Sequence, residues 1–154
     1  MGHDRYVRKR DTETLMDEQV RRVFGQALID VLTKYRFRRI GGIDEGWFTR
    51  DYVNRDFGIH LVYHLNDREV SIMCLDRLLT THSISSVGAY FSGEEPSVLE
   101  PADQARFIDQ HYKRIARMLR RRDGGADLRG LHESNRSRML ARFGIQLPEN
   151  PPDL

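Results

Sequence analysis

The chain has 154 residues, of which 39% are hydrophobic and 31% charged, with a formal net charge of +2. That length suits one domain able to bury roughly 68–70% of the surface of its unfolded chain, and the balanced charge excludes a disordered polymer of one sign. No apolar run approaches the roughly 18 residues of a membrane span, and "MGHDRYVRKRDTETL" carries charges where a signal peptide is apolar, so the expected compartment is the cytoplasm.

Residues 1–11, with "RYVRKR" at 5–10, read as a basic N-terminal arm. Over 12–36 the apolar residues Val20, Val23, Phe24, Ala27, Leu28, Val31, Leu32 and Tyr35 recur at the spacing of one helix face. "DTET" offers capping oxygens at the start, and the glycines of "RRIGGI" end the pattern. One long amphipathic helix is predicted.

From residue 38 to 76 the apolar period falls to two, the signature of strands. Residues 38–43 suit a short edge strand, and "GWFTRDYVN" at 46–54 a second strand joined antiparallel to 57–65 by a turn around Asn54–Asp56. In "FGIHLVYHLNDREVSIMC", a two-residue turn at Asn66–Asp67 or a loop over 65–68 pairs Tyr63 with Val70, Leu61 with Ile72 and Ile59 with Cys74. That register sets His64 against Glu69 and His60 against Met73 on the opposite face. Cys74, the single cysteine, cannot form an intramolecular disulfide and reads as a small core hydrophobe.

Residues 78–93 suit a short helix, with an ordered loop as the alternative, because Ile84, Val87, Tyr90 and Phe91 recur at near-helical intervals while Gly88 and the serines disfavour helix. The serines of "SISS" read as caps and turn donors, since no nucleophile elbow surrounds them. Pro101 opens a helix whose stripe is Ile108, Tyr112, Ile115 and Leu119 and whose last turn is Arg120, Arg121 and Arg122, stopped by "DGG" at 123–125. A last helix is expected from near Ser134 to Gly144, with a turn at 128–131 before it and an extended Pro-rich tail at 146–154.

The expected fold is α+β in a single domain over 1–154. An N-terminal amphipathic helix packs on a three- or four-stranded antiparallel meander, followed by two or three C-terminal helices. This element order is loosely similar to small bacterial proteins that bind and block a larger partner, such as immunity proteins, a likeness of arrangement and not of motif.

Decisive catalytic motifs are absent. His60 and His64 share a face but stand roughly 13 Å apart along one strand, too far to ligate one metal ion. His82, His111 and His132 have no metal-ligand spacing, and the gap in lysines between Lys34 and Lys113 removes a phosphate-loop lysine, a Schiff-base lysine on the sheet and the acid-plus-lysine core of many nucleases. No metal or cofactor is expected. What remains is surface: the basic run from Lys113 to Arg142, the two strand histidines, and Trp47 and Tyr52, which would form a recognition patch if exposed.

The expectation is therefore a non-enzymatic cytoplasmic protein that binds another protein. Its candidate binding residues are Arg114, Arg117, Arg121, Arg122, His60, His64, Trp47 and Tyr52. The alternative is a nucleic-acid-binding accessory domain using Arg114, Arg117, Arg121 and Arg122. A hydrolase built on His60, His64 and Glu69 is a weaker third reading, since no nucleophile supports it.

Overall fold

A computed structural model of the protein describes residues 18–97, 99–120 and 125–144. The predicted N-terminal helix exists but is broken: α1 covers 18–24 and α2 Gln26–Lys34. Gly25 makes the break with φ +91°, a conformation only glycine adopts without strain. The apolar stripe continues across it, so Val20, Phe24, Leu28, Val31 and Leu32 are all buried.

The end of α2 differs from the prediction. The chain leaves the helix at Tyr35, well before the Gly41–Gly42 pair, and Arg36 takes the left-handed conformation at φ 56°. Arg36 N donates to Thr33 O at 3.2 Å and Phe37 N to Leu32 O at 2.9 Å, the paired bonds of a Schellman cap with arginine at the usual glycine position.

The sheet has five strands, not three or four: β1 Arg38–Asp44, β2 Phe48–Val53, β3 Gly58–His64, β4 Asp67–Cys74 and β5 Arg77–Ser83. They form an antiparallel meander in sequence order. The predicted antiparallel pairing of the 46–54 segment with 57–65 is present, and Asn54 makes the turn by accepting from Asp56 N and Phe57 N.

The β3–β4 register is two residues away from the expected one. The turn is Leu65–Asn66, both at positive φ, so Leu61 pairs with Val70, Ile59 with Ile72 and His64 with Asp67. A slip of two keeps every side chain on its face, which is why alternation alone did not distinguish the registers. Cys74 is buried in the core as expected.

Residues 77–83 pair with β4 as β5, so the helix expected over 78–93 is confined to α3, Ile84–Ser92. Ser83 is its cap, its side chain accepting from Ser86 N, and Gly93 closes the other end. Pro101 opens α4, Pro101–Arg120, which departs from helical geometry at His111. The last helix, α5, runs Gly125–Arg142 and starts earlier than predicted because Leu128 and Leu131, one turn apart, are buried. The arm at 1–11, the stop at 123–124 and the tail at 146–154 lie outside the described residues.

One face of the sheet supplies Tyr52, Ile59, Leu61, Val70 and Ile72 to a hydrophobic cluster shared with all five helices. Helix α4 packs on α2 and against β4. Where β5 gives way to α3, the buried Gln104 of α4 continues the pairing of β4: its Oε1 accepts from Val70 N at 2.9 Å and its Nε2 donates to Arg68 O at 3.1 Å.

Candidate functional site

The end of α2, the β2–β3 turn and the middle of α4 meet around two tyrosines. Tyr35 and Tyr112 stack with ring centroids 3.7 Å apart and planes 3° from parallel. Both belong to apolar helix stripes in the sequence; the folded chain makes them one wall of a cleft of about 580 Å3, lined also by Lys34, Arg36, Asn54, Arg55 and Asp56. A second hollow of about 430 Å3 adjoins it through Tyr112 and runs along α4 past Lys113, Ala116, Arg117 and Arg120.

Asn54 organises the cleft. Its Nδ2 donates to Tyr35 O at 2.9 Å and to the Tyr112 hydroxyl at 2.8 Å, while its Oδ1 holds the turn. The Tyr112 hydroxyl donates in turn to Asp56 Oδ2 at 2.7 Å, and Arg120 pairs with the other carboxylate oxygen of Asp56. At the rim, Lys34 and the Tyr35 hydroxyl both donate to Asp109.

These bonds set the ionisation of the site. Burial, then the hydrogen bond to Asp56, pushes the Tyr112 hydroxyl up to about 12, so it stays a proton donor. Burial would raise the Asp56 carboxyl, but the bonds from Tyr112 and Arg120 outweigh it and hold it below the usual carboxylate range. The Lys34 bond, then the Tyr35 bond, lowers Asp109 in the same way. Both carboxylates at the cleft are therefore ionised and already engaged.

Arg36, Arg55, Lys113 and Arg117 are exposed around the two hollows, and none makes an ion pair or side-chain hydrogen bond among the described residues. The result is a concave polar surface with neutralised acids and, among the described residues, four exposed cations outside any ion pair, of which Arg55 and Arg117 act only at longer range on Asp56 and Asp127.

Of the eight candidate binding residues named from sequence, Arg117 is the one described residue that lines this surface, alongside Lys113 and Arg120 of the same basic run. Arg114 is held between α3 and α5, its guanidinium 3.8 Å from the Phe91 ring centroid and 3.3 Å from Asp127. Arg121 and Arg122 lie outside the described residues. Tyr52 is buried in the core on the helix-covered face, which corrects its expected place in a surface patch.

Trp47 is half-buried in the β1–β2 turn, where it lines a separate hollow with Gln19, Arg22, Asp44 and Tyr63. His64 is exposed and meets the Trp47 ring edge-on at 6.3 Å. His60 pairs with Asp51 across β2–β3, Nδ1 to Oδ1 at 2.5 Å, while Glu69, expected opposite His64, stands opposite Val62 and accepts from Ser71. The three-residue group of His60, His64 and Glu69 is therefore not assembled.

Arg36, Asn54, Arg55 and Asp56 are not among the candidate site residues named from sequence, which reads 54–56 only as a turn. The one available signal was "NRDFG" after a strand, a turn sequence with charges at its tip. Among the described residues, no three His, Cys, Asp or Glu side chains gather as a metal site, and no helix is long and apolar enough to cross a membrane. Comparison with protein-family models, curated proteins and solved structures finds no match to this chain.

Proposed function

We propose that this protein is a non-enzymatic module of the cytoplasm that binds another protein, and that the partner docks at the Tyr35–Tyr112 cleft. The observation that supports this reading is the set of four exposed cations that form no ion pair among the described residues, around hollows whose own carboxylates are already neutralised. Unmatched charge around a concavity speeds encounter with a partner of opposite sign and selects against partners of like sign.

The nucleic-acid alternative has less support. Of its four arginines, Arg114 is committed to Phe91 and Asp127, and the stacked tyrosines offer little free ring face to a base: each covers one face of the other, with Phe57 beside Tyr112 and Lys34 over Tyr35.

The test is stoichiometric capture from native cell extract with and without nuclease, using the wild-type chain and a variant carrying Arg36→Glu, Arg55→Glu, Lys113→Glu and Arg117→Glu. A protein partner that survives nuclease and is lost with the variant is the expected result. Turnover of a substrate by the purified chain, or recovery of nucleic acid in place of protein, would overturn the reading.

A further inference from the structure

Along α4, Tyr112, Ala116 and Arg120 follow one another at intervals of four and so stack on one helix face, with Lys113 and Arg117 one step round the helix beside them. Eight residues of helix advance roughly 12 Å, the reach of about four residues of extended chain. The floor of this groove is the small, buried Ala116 and the Tyr112 ring, its wall Lys113 and Arg117, and its far end opens into the cleft where Arg36 and Arg55 stand.

We infer that the groove takes an extended acidic peptide segment of the partner, with an apolar side chain over Ala116 and carboxylates on either side facing Lys113, Arg117, Arg36 and Arg55. This rests on the protein-binding reading above and specifies what is recognised. Three observations carry it. The two local carboxylates are held by Arg120, Lys34 and the two tyrosine hydroxyls, so the outer cations are exposed and make no ion pair or side-chain hydrogen bond among the described residues. An apolar floor between cations suits alternating apolar and acidic side chains, whereas a sugar-phosphate chain has no aliphatic side chain to place there.

The third observation is Arg36 itself. A left-handed position at φ 56° strains a residue with a Cβ, whereas glycine would occupy this one freely. A side chain kept at a strained position beside a cleft points to a use for that side chain.

The probes are a fluorescein-labelled peptide alternating Glu with Val, a Glu–Gly peptide of equal charge, a Ser–Gly peptide, and oligothymidine matched in net charge. Fluorescence anisotropy on the full chain reads binding. The Glu–Val peptide is expected to bind most tightly, the Glu–Gly peptide several-fold more weakly and the neutral peptide not at all, with affinity falling as salt rises from about 50 to about 300 mM. Reversing Arg36, Arg55, Lys113 and Arg117 should cost at least about tenfold, and reversing the exposed Arg129 and Arg136 of α5 less than about twofold.

A carbodiimide should couple the Glu–Val peptide to the Lys113 amine in the wild-type chain. Circular dichroism of each variant keeps a folding failure from passing as a loss of binding. Tighter binding of oligothymidine with loss in the same variants, equal binding of the two acidic peptides, or no binding of the Glu–Val peptide overturns the inference. If a protein partner is still captured in those cases, the protein-binding reading stands and only the nature of the segment fails; with no partner and no peptide bound, both fail.

Discussion

The rings of Tyr35 and Tyr112 lie parallel at 3.7 Å, and the Tyr112 hydroxyl bridges Asn54 and Asp56. The stack joins α2 to α4, and the hydroxyl joins both to the β2–β3 turn. Tyr112→Phe keeps the stack and removes the bridge, leaving Asp56 with Arg120. It is expected to lower stability by about 1–2 kcal/mol in urea unfolding, while Tyr112→Ala, which loses both, costs more. Equal costs for the two variants would contradict this division of roles.

Arg36→Gly should move stability and binding in opposite directions. Glycine relieves the left-handed strain at the end of α2, for an expected gain of about 0.5–1 kcal/mol after its greater freedom in the unfolded chain is counted. It also deletes one of the four cleft cations, so capture of an acidic peptide should weaken. Melting temperature and peptide anisotropy on the same sample check both halves.

His82 sits on the helix-covered face of β5, buried, with its ring centroid 5.0 Å from that of His132 on α5. Burial, and secondarily the charge of His132, lowers it to about 4. Its folded pKa is therefore below the unfolded value near 6.5, and the unfolded chain gains the proton first. The neutral ring contributes its full stability above about pH 6.5, and that contribution falls as the pH drops toward about 4, with a slope of at most about 1.4 kcal/mol per pH unit. Urea midpoints between these values should fall for the wild type and flatten for His82→Phe.

Arg50 is fully buried, its Nη2 donating to Gln19 at 2.8 Å and to Asp44, and its guanidinium lying 4.7 Å from the Phe48 ring centroid. Asp44 is 55% exposed and can be hydrated when the arginine is gone. Arg50→Ala is expected to cost about 2–4 kcal/mol, mostly through the void beside Phe48. Arg50→Met, which refills that void, should cost less than half as much. Chemical denaturation of the two variants decides between packing and charge as the main contribution.

The parts of this fold that sequence reveals are those set by local periodicity. Stripes such as Leu28, Val31 and Leu32 mark α2, and the alternation around Ile59 and Leu61 marks β3, because each pattern repeats within a few residues. The broken N-terminal helix, the β3–β4 register and β5 are less legible. Leu65 at positive φ is a conformation its own propensity opposes, and the gain from pairing across the sheet lies elsewhere in the chain. The cleft is less legible still: Tyr35 and Tyr112 each read as a core-facing position of a separate helix, and nothing local to either says that they meet.

Asn54 has two amide hydrogens and two carbonyl lone pairs, and four neighbours take all of them: Tyr35 O, the Tyr112 hydroxyl, Asp56 N and Phe57 N. Aspartate keeps the acceptors and loses both donors; serine has one hydrogen to give; glutamine carries the amide one methylene further from the turn. A population of functional variants of this chain should therefore drift freely at much of the solvent-facing sheet surface and hardly at all at this asparagine. Such a bias would place selection on the joint between the turn and the two helices, where the cleft is assembled.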